Sequence, residues 1–274
     1  MTLADYHVHS HFSSDGLGSI LEHVRRAEAL GLTEICFTEH LDFFPSPDGL
    51  SCTTIPDYVE LEPYLQEVRE AQQRSRVKVR AGLEVDYKPE AEPWMREILK
   101  VFPFDFLLGS VHNVGPWAVS GPAELALAFF REKGVEQGCL DYLDIVEQAV
   151  ATGLFDSFAH LDLMKRFYPE ARRLMLTGRL RDRTIAILDR MAETGTGIEI
   201  NAAGMVHAPR ELYPSLELLK LARERGVNVL TVGSDSHRPE TVGRHLFEAL
   251  SLARAAGFTH VYTFEARAGC PLPL

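Results

Sequence analysis

The stretch DYHVHSHFSSDG, residues 5–16, decides how this chain is read. With Leu3 and Ala4 before it, its first part reads as a β-strand over Leu3–Val8. Side chains two apart on a strand share a face, so His7 and His9 can reach one ion together. Outward from this strand, Ser19 is a helix N-cap and Gly31 a stop, which predicts a helix over Ser19–Leu30. A second strand is expected at Glu34–Thr38, then a long loop, LDFFPSPDGLSCTTIP, over residues 41–56.

The strand-then-helix alternation runs on to the end of the chain. A helix near Asp57–Arg74 precedes a strand at Val77–Val85, and a helix at Trp94–Val101 precedes a strand at Phe106–Val111. Helical stretches at Glu124–Lys133 and Leu140–Thr152 lead to a strand at Asp156–Ala159. A helix at Asp182–Thr194, a strand at Gly197–Ile200, a helix at Ser215–Arg225 and a strand at Val227–Val232 follow. A helix at Glu240–Ala256 and a short strand at His260–Phe264 close the series. Seven βα units in a row imply an α/β protein with parallel strands, and their number and the chain length favour a barrel over a doubly wound sheet.

A barrel gives meaning to the histidines. Of the 11 in the chain, six fall at or just past predicted strand ends: His7, His9, His40, His112, His160 and His237. Asp15, Glu84 and Asp235 take matching positions. In a closed parallel barrel those carboxyl ends meet on one face, where the active sites of such barrels lie. A lone histidine there is more often a core or surface residue, but five strands contribute these and all point to one rim. His23 and His245, on helices, read as ordinary residues; His11 and His207 stay open. A catalytic zinc takes three protein ligands and keeps one position open. Nine ligands therefore suit two or three ions, with Glu84 a natural bridge. Nitrogen and oxygen ligands without thiolate suit Zn, Mn or Fe(II).

Composition bounds the alternatives. The 274 residues are 46% hydrophobic and 24% charged, ordinary for a globular protein, which excludes disorder, collagen and coiled coil as overall classes. A single domain over residues 1–274 is expected. The net charge of −11 is unfavourable for wrapping nucleic acid. The four cysteines, Cys36, Cys52, Cys139 and Cys270, form no CxxC pair, which fits a reduced compartment. Neither a signal peptide nor an apolar run of membrane-spanning length is read, so a soluble cytoplasmic protein, without membrane partners, is expected. A homo-oligomer is compatible with all of this.

These motifs resemble the polymerase-and-histidinol-phosphatase (PHP) superfamily of metal-dependent phosphoesterases, and most of all its monofunctional histidinol-phosphatases. The match rests on DYHVHSHFSSDG (Asp5–Gly16), FTEHLDF (Phe37–Phe43), AGLEVDY (Ala81–Tyr87) and GSVHNV (Gly109–Val114). AHLDLMKRF (Ala159–Phe167), EINAAG (Glu199–Gly204) and VGSDSHRPETVG (Val232–Gly243) complete it, in the family's order. The resemblance implies a distorted (β/α)7 barrel with a trinuclear metal centre at the C-terminal face of the strands. Carried over residue by residue, it implies that His7, His9, Glu84 and Asp235 hold one ion. It implies that Glu84 bridges to a second held with His112 and His160, and that Asp15, His40 and His237 hold a third. The expected activity is hydrolysis of L-histidinol phosphate in histidine biosynthesis, by attack of a metal-bound hydroxide on the phosphomonoester.

For substrate contacts, Arg166 matches a phosphate-binding position of these phosphatases, whereas Lys165 and Arg238 are nearby cations that read more simply as surface charge. Asp42 and Phe43, in the long loop that could form a lid, suit the cationic imidazole end. The family often carries a Gly-Leu-Arg segment whose arginine helps bind phosphate; here it reads Gly204-Met205-Val206-His207, and His207 or Arg210 could substitute. Ser10, Ser13 and Ser236 read as supporting donors or spectators, not nucleophiles. The competing readings are a PHP enzyme acting on nucleotides or nucleic acid ends, a non-catalytic metal-binding barrel, and an amidohydrolase-like barrel. The last usually bridges its metals with a lysine, and no lysine stands at a strand end before Lys165.

Overall fold

Seven strands run parallel in one sheet, in chain order: β1 (Ala4–Val8), β2 (Glu34–Leu41), β3 (Lys78–Asp86), β4 (Phe106–Ser110), β5 (Ser157–Phe158), β6 (Gly197–Asn201) and β7 (Leu230–Gly233). The computed structural model describes residues 3–46, 49–52 and 58–274. Closure comes just past the end of β7, where Ser236 bridges to Val8 in parallel. There the His9 N–H donates to the Ser236 carbonyl at 2.7 Å and the Ser236 N–H to the His7 carbonyl at 3.3 Å. The result is the nearly closed (β/α)7 barrel that the alternation predicts.

Nine α-helices join or flank these strands among the described residues: α1 (Ile20–Leu30), α2 (Tyr58–Gln73), α3 (Glu92–Val101), α4 (Ala123–Lys133), α5 (Val135–Ala151), the one-turn α6 (Ala171–Leu174), α7 (Gly178–Thr194), α8 (Leu216–Glu224) and α9 (Leu246–Ala255). The start of α1 is a complete capping box: the Ser19 hydroxyl accepts from the Glu22 N–H, and the Glu22 carboxylate accepts from the Ser19 N–H. Gly31, at φ 72°, ends it. None of the described helices is long and apolar enough to cross a membrane.

The alternation within β1 changes halfway. Ala4 pairs with Glu34 and Asp5 with Ile35, but Val8 pairs with Phe37. Three steps on β1 thus oppose two on β2, a bulge. Below it, Ala4 and Tyr6 pack inside the barrel with Cys36, Phe106, Leu108 and Ala159. Above it, Val8 joins the layer between sheet and helices, and His7 and His9 turn inward. The neighbouring strands keep a regular period of two, with Ile35, Phe37 and Leu41 in the outer layer and Cys36, Thr38 and His40 on the inner face. On β3, Val79, Ala81, Leu83 and Val85 pack outward, so Gly82, Glu84 and Asp86 face in. The β2–β3 register sets His40 directly beside Glu84.

Several boundaries differ from the sequence reading. The 41–56 loop contains an antiparallel ribbon, Phe43–Ser46 with Gly49–Cys52, while residues 47–48 and 53–57 lie outside the described residues. Helix α5 begins at Val135, five residues before the predicted Leu140, because Gly134 turns the chain directly out of α4. Gly138 then sits in the helix where a Cβ would come within 2.9 Å of Phe129. Helix α7 starts four residues before the predicted Asp182. Helix α9 starts six residues later than Glu240, because Pro239–Thr241 form a 3-10 turn and Gly243 and His245 take positive φ. His260–Glu265 (β8) is not a barrel strand. It pairs antiparallel with Ala268–Pro273 (β9), and its Phe264 closes the barrel floor. There the Tyr6 hydroxyl donates to Glu34 at 2.7 Å and accepts from the Phe264 N–H at 2.5 Å.

Candidate metal centre

Glu84 is the midpoint of the carboxyl-end face. It is 1% exposed, and imidazoles from four other strands aim at its two oxygens. His160 Nε2 lies 3.0 Å and His112 Nε2 3.3 Å from Oε1. His40 Nδ1 lies 3.0 Å, His7 Nε2 3.4 Å and His9 Nε2 3.6 Å from Oε2. Asp235 adds a second carboxylate, its Oδ1 3.7 Å from His7 Nε2 and 3.8 Å from His9 Nε2. Asp15 stands on the outer side, 3.5 Å from His40 Nε2 and 3.2 Å from His237 Nε2. All nine expected ligands thus stand in one constellation. Three overlapping sets have donor atoms close enough to share an ion: His7, His9 and Asp235; His40, Glu84 and His112; His9, His40 and His237.

The imidazoles are held from behind. His7 Nδ1–H donates to Glu199 Oε1 at 2.6 Å, which leaves Nε2 facing Asp235 and Glu84. Glu199 Oε2 accepts from the His160 N–H at 3.0 Å, so one carboxylate orients two strands. The Ser13 hydroxyl donates to Glu39 at 2.6 Å and therefore accepts from His9 Nδ1 at 3.2 Å and from the His40 N–H at 3.0 Å. That assigns His9 the Nδ1–H tautomer and leaves its Nε2 as an acceptor. Asn201 donates to Asp235 at 3.1 Å, and Asp86 accepts from the His112 N–H at 2.6 Å. Asp5 takes the Ser234 N–H at 2.8 Å and the Gly243 N–H at 2.9 Å, clamping both sides of the Asp235 turn.

Charge follows from this packing. Burial pushes the Glu84 carboxyl up, but His112 and His7 overcome it and hold it well below the usual range. Asp235 is likewise desolvated and yet held low, by His7 and His237. For Asp15, hydrogen bonds from His237 and His40 outweigh desolvation and lower it. His9 is held well below its ordinary value, first by burial and then by His40 and His237. The donor set is therefore anionic oxygens with at least one neutral imidazole. The buried His7 Nε2 and His9 Nε2 make no hydrogen bond. Buried polar atoms without such partners are uncommon in folded proteins, and here both point at carboxylates across 3.4–3.8 Å. Residues of this kind fit divalent cations with mixed nitrogen and oxygen ligation.

A cavity of about 480 Å³ opens over the constellation, lined among others by Asp42, Arg166, His207, Tyr213 and Arg244. Other expected substrate contacts lie elsewhere. Lys165 is 1% exposed and points away from the cavity, donating to the Leu212 carbonyl at 2.7 Å and pairing with Asp162 at 2.9 Å. It serves as an internal tie because the 3-10 turn Leu163–Arg166 rolls it beneath the loop before α8. Arg210 is exposed, at φ 53°, and its guanidinium turns back toward the Met205 carbonyl. Arg238 is exposed on the rim turn and does not line the cavity. The Phe43 side chain lies outside the described residues. The sequence reading did not single out Glu39, Glu199, Asn201, Asp5 or Arg244. A signal for Glu199 and Asn201 did exist, their two-residue spacing at the end of β6.

Comparison with known proteins agrees with this geometry. The model of the PHP domain matches residues 5–203. The probable histidinol-phosphatase of Deinococcus radiodurans is 33% identical, over 93% of this chain and 94% of that one. The histidinol-phosphatase of Lactococcus lactis is 32% identical, over 97% and 95%. The crystal structure of the Lactococcus lactis histidinol phosphate phosphatase, complexed with zinc, L-histidinol and phosphate, superposes with a TM-score of 0.83 at 29% identity, covering 98% of this chain and 99% of that one. With β/α order, inward histidines and relatives in accord, this chain belongs to the PHP family and, within it, to the histidinol-phosphatases.

Proposed function

We propose that this chain, as one barrel domain over residues 1–274, hydrolyses L-histidinol phosphate to L-histidinol and phosphate, with zinc ions held around Glu84. The observation that carries the reading is the convergence of nine imidazole and carboxylate groups beneath one open cavity. The relative of known structure holds zinc with both products of that reaction. In this assignment His7, His9, Glu84 and Asp235 hold one ion. Glu84, His112 and His160 hold a second, and Asp15, His40 and His237 a third. Divalent cations bound there supply a more acidic water and neutralise phosphate oxygens.

The chain's own residues do the rest. Glu84 and Asp235 stay ionised and keep the site anionic. Glu199 and Ser13 fix the ring orientations of His7 and His9, so that their free nitrogens converge without reorganisation. Arg166, its Nη1 anchored on the Ser120 carbonyl at 3.0 Å, keeps further donors for the phosphate. Asp42 offers the rim a carboxylate for the cationic end of the substrate. The net charge of −11 favours a small phosphomonoester over a nucleic acid strand.

The test is phosphate release from L-histidinol phosphate, from a nucleoside monophosphate and from a phosphodiester, by chelator-stripped protein given Zn, Mn or Fe(II). Preference for histidinol phosphate, restored by metal, is expected. Preference for the nucleotide or the diester would retain the metal centre and overturn the substrate. The metal that restores the highest rate decides among zinc, manganese and iron.

A further inference from the structure

Among the charged and imidazole side chains that line the cavity, most are acidic groups or histidines, including Asp15, Asp42, Glu84, Asp235, His112 and His207. A phosphate must enter beside these carboxylates. Among the described lining residues two permanent cations are present, Arg166 and Arg244. Several other arginines of this acidic chain are tied to carboxylates, such as Arg80 to Glu34 at 2.8 Å and Arg225 to Asp189 at 2.6 Å. No carboxylate is paired with Arg244 among the described residues. Among the described residues its guanidinium donates to two backbone carbonyls, Ser234 through Nε at 3.4 Å and Asp235 through Nη2 at 3.5 Å. Those contacts are long and use two of five N–H donors. Its backbone is fixed, because the N–H of the preceding Gly243 is held by the buried Asp5.

Resting on the activity proposed above, we propose that Arg244 is a phosphate-binding residue of this enzyme, facing Arg166 across the cavity and gripping the phosphoryl oxygens with its remaining donors. A guanidinium fork suits two oxygens of one phosphate, and a half-buried one is stronger for having little water to displace. Arg166, Arg244 and His207 line the same cavity. His207 is pushed down to about 4, first by its burial and then by Arg166, with Arg244 acting in the same direction. That imidazole therefore stays neutral at pH 7 and does not compete for the phosphate as a cation.

The test uses the zinc-loaded full chain and its Arg244→Met and Arg244→Lys variants. Calorimetric titration with inorganic phosphate should show Kd raised roughly tenfold to a hundredfold in R244M, the loss of one or two charge-assisted hydrogen bonds. In R244K the loss should be smaller, since a point charge remains without the fork. Competitive inhibition by L-histidinol, which has no phosphate, should be unchanged in both. KM for the phosphoester should rise more than kcat falls. Unchanged phosphate affinity in R244M overturns the proposal. Equal weakening of phosphate and L-histidinol also overturns it, because that pattern marks a merely structural prop for the Ser234–His237 turn. If R244M does not fold, R244K decides by the same two ligands. A wild-type enzyme that binds phosphate but leaves histidinol phosphate intact would overturn the substrate, while the phosphate titration still judges Arg244.

Discussion

At the scale of the residue, several groups of the constellation have a second group that aims them. The His7 ring has two nitrogens, and Glu199 takes one of them at 2.6 Å, so only the other can face Glu84 and Asp235. Glu199 also holds the His160 backbone, and His160 itself sits at a positive φ of 27°. A non-glycine residue in that region persists only where its surroundings impose it. Glu199→Ala should therefore act on two imidazoles at once. Loss of such an orienting partner typically costs 10- to 100-fold in metal affinity or activity. Zinc titration of the stripped protein, beside kcat/KM, measures both, and wild-type zinc affinity in the variant would remove Glu199 from this role.

At the scale of the element, the decisive feature is the seam between β1 and β7. The bulge in β1 lets Tyr6 close the floor while His7 and His9 serve the rim. Across the seam, Gly233 passes so close that an added Cβ would overlap the Cβ of His7 and approach Glu199 Oε1 within 2.7 Å. No flexible side-chain end absorbs that overlap, because it falls on a Cβ fixed to the β1 backbone. Gly233→Ala should cost about 1–3 kcal/mol of stability, the usual penalty of overpacking, and should lower turnover by displacing His7. A denaturant midpoint and a kcat measurement check this together; an active variant with an unshifted midpoint would show that the seam yields freely. The helices matter less to the chemistry. They cover the outer layer of the sheet and are set by caps such as Ser19 and Gly31.

At the scale of the whole molecule, the barrel gathers onto one face carboxylates and imidazoles from residue 7 to residue 237. Their mutual attraction is strong, but so is the cost of burying them, and cations shift that balance. Ions that bind the folded chain alone stabilise it by mass action, about 2.7 kcal/mol at a hundred times Kd. For a chain of this size that is about 5–10 °C in Tm. Chelation should lower Tm by that amount and zinc should restore it, as read by scanning calorimetry. An unchanged Tm after verified metal removal would mean that the cluster is held by its own ion pairs. The floor, closed by Tyr6, Glu34 and Phe264, lies at the opposite end and should keep the stripped barrel folded.

Much of this was legible in one dimension. Strand period two is a property of the local backbone, so the shared face of His7 and His9 followed from their spacing alone. The β/α alternation is carried by apolar periodicity and by caps, and it named the barrel and the rim positions. Boundaries slipped where a local rule met a tertiary one: Gly138 reads as a breaker yet packs α5 against Phe129, and Pro239–Gly243 delays α9. Loops were less readable still. Lys165, Arg166, Arg210, Arg238 and Arg244 are all cations near strand ends, and composition could not say which reach the cavity. That choice rests on where each turn is tied by distant groups: Asp162 and the Leu212 carbonyl draw Lys165 inward, and Asp5 sets the turn that brings Arg244 to the wall. The sequence by itself determined the order of elements and the shared face of His7 and His9, because both depend on neighbours along the chain. The tertiary structure alone decided the bulge, the orienting carboxylates and the two arginines of the cavity, because those depend on contacts between residues as far apart as Asp5 and Gly243.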